Sequence, residues 1–335
     1  MRDVLKHVLL AVAASVLALA LAEIAVRALV PIRLVGSSLT VYDSVYGHAS
    51  KRSAQIRQIT PEYTMRAHTN SLGFRGPEPR EFPHRSILFL GDSFTFGLGV
   101  SDGEEYPALV GKELAERYGI GTIPIVNAGL GNMGQGRWVK FLRQEGEKFD
   151  PRVVVLQFLQ NDFSDNIRER LFALTETGEL KALPVPSLSR GRKFQRMIES
   201  VPGLTELYLI GLLRQSYHAW KSRAGGGAPD ATQQGQRAVE EAEMLLTYRL
   251  TEEALRICRE EGWPVIALVV GIEGQRLAGL LDVLEDYQVP GAVIPGKKYR
   301  PDLHFRIDGH WNASGHRYAA ARVTELLDSE VFSLP

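Results

Sequence analysis

The sequence predicts an α/β fold, a parallel sheet with helices on both faces, preceded by an apolar N-terminal helix. Three observations predict it. Short apolar runs bounded by Pro or Gly alternate with longer stretches of helical spacing. Those runs are apolar at consecutive positions, as in strands buried on both faces. Clusters of reactive polar residues follow several of the runs, at the carboxyl ends where such sheets bind ligands.

Residues 1–30 form the first element. Arg2 and Lys6 precede Val8–Ala22, fifteen residues without a charge, and Glu23 and Arg27 follow on one helix face. Residues 8–30 are long enough to span about 30 Å of hydrocarbon as an anchor, with Glu23 and Arg27 near the outer interface. Alternatively, residues 1–22 form a signal peptide, for which Ala20-Leu21-Ala22 fits the small-x-small cleavage pattern. Both place the remaining chain outside the cytoplasm: a single-pass membrane protein, or a secreted or periplasmic one. Arg27, Arg33, Lys51 and Arg52 make the positive-inside bias weak.

Residues 31–85 are Pro- and Gly-punctuated and read as an irregular lead-in. The main domain follows at 86–335. Ser86–Leu90 is a first strand, Glu104–Tyr118 a helix, Thr122–Val126 a second strand and Trp138–Lys148 a helix. Val153–Leu159 is a strand rich in β-branched residues, Arg237–Glu261 a long helix, and Val265–Val270 another strand. Ala292–Ile294 completes the strands, and Ala313–Ser329 closes the chain as a helix. Residues 165–222, with an apolar helical stretch from Leu204 to Trp220, read as a helical insertion, and 224–236 as a flexible linker. Trp138, Trp220 and Trp263 read as packing residues. Trp311 reads as either lining the site or shielding its base.

Composition excludes several classes. The 335 residues are 44% apolar and 23% charged, which rules out global disorder and a many-spanning membrane protein. The 39 basic and 39 acidic residues balance, giving no basic surface for nucleic acid. Cys258, the sole cysteine, excludes an intrachain disulfide and a multi-cysteine metal site, and reads as a quiet buried thiol.

Three clusters carry chemistry. Ser93, in Gly91-Asp92-Ser93, stands where a helix begins, and its hydroxyl is either a nucleophile beside backbone N–H donors or a helix cap. Asn161, in Gln160-Asn161-Asp162, is either an oxyanion donor or a cap. His310, two residues after Asp308, is either a general base with its orienting carboxylate or a loop histidine near a capping Asp. Together, these residues point to acyl chemistry more specifically than each does alone. His304, His310 and His316 recur every six residues, a spacing unlike common zinc motifs.

These blocks resemble the SGNH (GDSL-type) hydrolases over roughly residues 86–330, outside the insertion and linker. The resemblance implies a three-layer α/β/α, flavodoxin-like sandwich and a serine esterase acting on carbohydrate or lipid O-acyl esters through an acyl-enzyme. It implies Ser93 as nucleophile, His310 as base and Asp308 as its partner. It also implies Asn161 as an oxyanion donor, with the backbone of Ser93 and Asn132. The stretch Asn127–Asn132 resembles the glycine block, but Asn132 stands where glycine is expected, so Gly131 or Gly134 are alternative donors. Asp308-Gly309-His310-Trp311 is similar to the last block of bacterial alginate O-acetylation proteins, and Asn312–His316 supports that register. An O-acyltransferase acting on an exopolysaccharide or cell-wall glycan is therefore the alternative activity, and a non-catalytic binding module a further one. No metal or organic cofactor is implied. The expected partners are an acyl-ester substrate and the membrane through residues 8–30. Thr69–Gly76 resembles a segment preceding the GDS block in membrane-anchored members and is read as structural.

Overall fold

The computed structural model of the chain describes residues 2–30, 35–36, 39–79, 82–187, 197–198, 201, 203–225 and 233–328. It separates into two compact units. The larger comprises residues 39–56, 65–188 and 231–335, and the smaller 1–38, 57–64 and 189–230.

Among the described residues, the larger unit is built on a five-stranded sheet of β6 (Ile87–Leu90), β7 (Ile125–Asn127), β8 (Val153–Leu159), β11 (Val265–Val270) and β12 (Gly291–Ile294). All pairings are parallel, in the order β12-β11-β8-β6-β7. The chain first steps from β6 to β7 on one side, then returns to β8 on the other, so the order reverses between β6 and β8. This is the flavodoxin-like arrangement, whose ligand crevice opens beyond the strand ends at that reversal.

The strands bury both faces because successive residues point to opposite sides. Leu88, Leu90, Val154, Leu156, Phe158, Ala267 and Val269 join one core layer. Ile87, Phe89, Val153, Val155, Ile266, Leu268 and Val270 join the other. On the first side lie α4 (Gln135–Phe141), α6 (Asp162–Glu169), α8 (Gln233–Glu260) and α9 (Gly274–Asp286). On the second lie α3 (Tyr106–Tyr118) and α10 (Ala313–Asp328). This is the expected three-layer sandwich.

Several expectations need correction. The Trp138–Lys148 helix begins at Gln135 and passes through a π-helical stretch, Leu142–Gly146, into α5 (Glu147–Phe149). Gly146 lies within this stretch, and a Cβ there would meet the Trp263 ring. The α9 helix was not anticipated from the sequence. The lead-in is not irregular: it holds β1 (Val35–Gly36), β2 (Thr40–Asp43), β3 (Gly47–Ser50), β4 (Gln55–Ile59) and β5 (Thr64–His68). Of these, β2 and β3 pair as an antiparallel hairpin, and β1, β4 and β5 form a small sheet. Residues 165–187 belong to the larger unit as the end of α6 and the hairpin β9 (Phe172–Leu174) with β10 (Leu180–Ala182). The expected linker is helical at both ends, in residues 224–225 and 233–236, and residues 226–232 lie outside the described residues. Residues 188–196 of the expected insertion also lie outside them.

In the smaller unit, α1 (Arg2–Leu29) is one continuous helix, long and apolar enough to cross a membrane. A 3₁₀ turn (Leu204–Glu206) leads into α7 (Tyr208–Gly225). Val26 is buried among Val30, Ile59, Tyr208, Leu209 and Leu212. The expectation that Trp220 packs inside the protein fails, since it is 64% exposed.

Candidate active site

The site lies at the reversal between β6 and β8. Strand β6 ends at Leu90, and the chain turns through Gly91-Asp92 into α2 (Ser93–Phe96). The turn requires glycine at 91, where a Cβ would overlap the Thr95 hydroxyl and sit 2.8 Å from Gln157 Oε1. Asp92, not Ser93, caps this short helix: its carboxylate accepts a hydrogen bond from Phe94 N–H at 2.9 Å. Ser93 Oγ is therefore left for another partner, and His310 Nε2 lies 2.8 Å from it.

His310 comes from the loop between β12 and α10. A bridge between His304 and Trp311 closes the base of this loop, with Phe305 N–H donating to His310 O at 2.8 Å. Asn312 pins it from behind. Its amide donates to Asp302 O and His304 O, and its carbonyl accepts from Ser314 and Gly315 N–H at the start of α10. Gly309, at φ +91°, makes the turn that brings Asp308 back onto the ring of His310. Asp308 Oδ1 accepts from His310 Nδ1, and from its backbone N–H at 3.4 Å. With Nδ1 donating, Nε2 is the acceptor facing the serine hydroxyl. Ser93, His310 and Asp308 thus form one hydrogen-bonded chain.

The other two histidines of the six-residue series have different roles. His316 is fully buried against Tyr106 and Trp311, accepts Tyr106 N–H on Nδ1, and is pushed down to about 3 by burial. His304 bonds Arg300 O and is lowered by burial. Among the described residues, no group of three or more His, Cys, Asp or Glu side chains could hold a metal ion. Trp311 is fully buried against Phe94 and Tyr106, so it supports the base from within the core rather than lining the site.

The loop after β7 approaches Ser93 from the other side. A Cβ on Gly131 would lie 3.8 Å from Ser93 Cβ, and Asn132 holds the left-handed conformation at φ +57°. Asn pays less than most residues for that conformation, which explains how Asn132 occupies the place where glycine is expected. The Gly131 carbonyl accepts from His48 Nε2, 3.1 Å away in β3. Arg137 in turn donates to His48 O at 2.8 Å and to His48 Nδ1, and pairs with Glu169 at 3.0 Å. Both ions are buried, and burial outweighs their attraction: Glu169 is pushed up to about 7 and Arg137 down to about 10.

Asn161 stands at the end of β8, ahead of α6. Its side chain caps nothing; Nδ2 donates to Asp165 Oδ2 at 2.9 Å. It also helps hold the charge on Asp92. Burial nevertheless raises Asp92 to about 6. Asp162, fully buried behind it, is held well above the carboxylate range by burial and by the Asp92 charge. Its Oδ2 accepts from Leu159 N–H and from Gln135 Nε2, and its buried Oδ1 has no partner, as suits a neutral acid. Asn166 extends the network to Gln135 Oε1 and Thr247 Oγ1.

Sequence reasoning assigned no chemistry to Thr69–Gly76, yet it supplies Arg75, whose side chain is wholly buried. Arg75 donates to Phe96 O at 2.8 Å, Gly97 O at 2.5 Å and Val100 O at 2.7 Å, and pairs with Asp102 and Glu105. It holds the turn that ends α2, one helical turn from Ser93. The signal available in the sequence was a cation at the end of a polar, Gly-bounded segment, which does not distinguish a buried clamp from a surface residue.

The family model of the GDSL-like lipase/acylhydrolase family matches residues 89–318. Among solved structures, an esterase EstA from Pseudoalteromonas is similar at 11% identity and TM-score 0.42, covering 74% of this chain and 98% of its own. TesA is similar at 15% identity and TM-score 0.40, covering 72% and 98%. A two-domain esterase active on acetylated mannans is similar at 13% identity and TM-score 0.40, covering 75% of this chain; the chain spans half of that protein's length. No curated protein matches the sequence.

Proposed function

The chain belongs to the GDSL-like lipase/acylhydrolase family, a family of ester-bond hydrolases, and on that premise we propose that it is a serine esterase in which Ser93, His310 and Asp308 act as the catalytic triad. The observation that carries this is the 2.8 Å contact between Ser93 Oγ and His310 Nε2, with Nδ1 of the same ring engaged by Asp308.

In this reading, His310 takes the Ser93 hydroxyl proton as Oγ attacks the ester carbonyl carbon. Asp308 keeps the ring in the required tautomer and stabilises the imidazolium. The carbonyl oxygen becomes an oxyanion, met by Ser93 N–H, by the backbone at Gly131–Asn132 and by the Asn161 amide. His310 returns the proton to the leaving alkoxide. Water, deprotonated by His310, then attacks the acyl-Ser93 ester and releases the acid. The substrate is an O-acyl ester of a carbohydrate or lipid. We further infer that α1 remains as a membrane anchor with the catalytic unit outside the cytoplasm. Supporting this, the helix continues unbroken through Ala20–Ala22, and its last turns pack into the smaller unit at Val26.

Full-length protein in detergent, incubated with p-nitrophenyl acetate beside Ser93→Ala and His310→Ala, tests the assignment. Turnover by the parent that both substitutions abolish is expected. Turnover retained by Ser93→Ala would overturn it, as would a folded parent that neither turns over the ester nor reacts with a serine-directed phosphonate.

A further inference from the structure

The smaller unit carries a feature that the esterase reading does not use. The start of α7 is tied to the end of α1. Glu23, the first charge after the apolar run, accepts hydrogen bonds from Tyr208 N–H at 2.9 Å and Leu209 N–H at 2.8 Å. These are N-terminal donors that α7 cannot satisfy within itself. Arg27 lies over the Tyr208 ring at 4.8 Å and pairs with Glu23 at 3.2 Å. Leu209 and Leu212 complete the contact around Val26. The attachment is confined to the last turns of α1, because residues 2–21 of α1 are all exposed. The two helices therefore meet where the apolar stretch ends and then part.

Beyond that junction, α7 keeps a second apolar face. Leu213, Tyr217 and Trp220 are 58%, 55% and 64% exposed. Their i, i+4, i+7 spacing puts them on one stripe of the helix, and the Tyr217 and Trp220 rings lie 6.1 Å apart. The helix sequence also supplies Arg214, Gln215, Ser216, His218, Lys221 and Arg223. That much polarity excludes a second membrane span. An apolar stripe containing Tyr and Trp, in a helix that also carries Lys and Arg, is instead the composition of a helix lying in a membrane interface.

We propose that α7 lies in the headgroup region of the bilayer that α1 crosses, with Leu213, Tyr217 and Trp220 turned toward the acyl chains. The proposal rests on the reading of α1 as a membrane anchor. Continuity selects lipid over a protein partner: Glu23 fastens α7 at the level where the span emerges, so the exposed stripe begins within two turns of the bilayer surface.

Trp220 is a built-in reporter, since Trp138, Trp263 and Trp311 are 0%, 6% and 0% exposed. The full chain is reconstituted into phosphatidylcholine/phosphatidylglycerol vesicles, and two properties are read separately. Resistance to carbonate extraction reports α1. Quenching of tryptophan emission by brominated phospholipids, against a Trp220→Phe blank, reports α7. A blue-shifted component is expected that shallow bromines quench more than deep ones and that disappears in Trp220→Phe. Leu213→Asp should return that component to water while the chain stays carbonate-resistant. A carbonate-resistant chain whose Trp220 is quenched by aqueous iodide overturns the placement of α7 alone. One whose Trp220 is shielded from both iodide and bromolipid points to a protein on the stripe and also overturns it. A chain that carbonate releases overturns the anchor and the placement together.

Discussion

On one side of the site, His310 bonds both Ser93 and Asp308 directly, and all three remain partly open to solvent. On the opposite side, Asn161 and the Gly131–Asn132 loop are backed by polar groups: buried Asp165, Asp162 and Asp92 behind the amide, and half-buried His48 with buried Arg137 and Glu169 behind the loop. In the proposed mechanism the first side moves a proton between Ser93 and His310, with Asp308 orienting the ring. In the same proposal the second side holds donors still, because an oxyanion hole works by preorganisation rather than by reacting. Buried networks give that rigidity at the cost of desolvating charge, and the upward shifts of Asp92, Asp162 and Glu169 record that cost.

The largest effects should fall on the direct side. Ser93→Ala and His310→Ala should each lower kcat for p-nitrophenyl acetate by roughly 10⁴-fold or more, with unchanged folding by circular dichroism. Asn161→Ala should cost roughly 10²–10³-fold in kcat with little change in KM, the cost of one oxyanion donor. An equal loss from Asn161→Ala and Ser93→Ala would erase the distinction between the two sides. Asp165→Ala should cost roughly 10–100-fold through misplacement of the Asn161 amide. Asp165→Asn keeps an acceptor oxygen and should restore most of the loss, which a merely destabilising role would not predict.

The smallest effect is on stability and its dependence on pH. Glu169 is raised from 4.5 to about 7 by burial. Between about pH 4.5 and 7, the folded chain keeps a proton that the unfolded chain releases. This contribution to stability is complete below about pH 4.5 and lost as pH rises through 7. Thermal melts should therefore show Glu169→Gln reducing the decline in Tm across that window. Asp92 and Asp162, also raised by burial, supply the remaining slope, so a slope identical in the parent and Glu169→Gln would show that Arg137 holds Glu169 ionised.

How much was legible in the sequence follows the same division. Ser93, Asn161 and His310 announced themselves because each follows a sheet strand or precedes the closing helix, in a short block of turn residues. Asp165 and Glu169 were not singled out, because acids in a polar stretch usually face solvent, although their side chains are 1% and 7% exposed. No local pattern tells that α6 turns Glu169 inward against Arg137 of α4. His48 and Arg75 were hidden for another reason. Their partners lie 83 and 21 residues away or more, and short mixed strands such as Gly47–Ser50 carry little periodic signal. The missed α9 helix shows the same limit, since its apolar positions face a neighbour that the local pattern does not name.

The sequence by itself determined the sheet, the apolar N-terminal helix and which polar groups are the candidates for chemistry. Strands buried on both faces must be continuously apolar, a helix is long and apolar enough to cross a membrane only when it lacks charge along its length, and the proposed acyl chemistry requires particular side chains. The tertiary structure alone decided the strand order that opens the crevice between β6 and β8. It alone made Asp92 rather than Ser93 the cap, and set the burial that separates His310 from His316. These depend on which groups lose water and which partners replace it, and that is settled only when segments distant in the chain pack together.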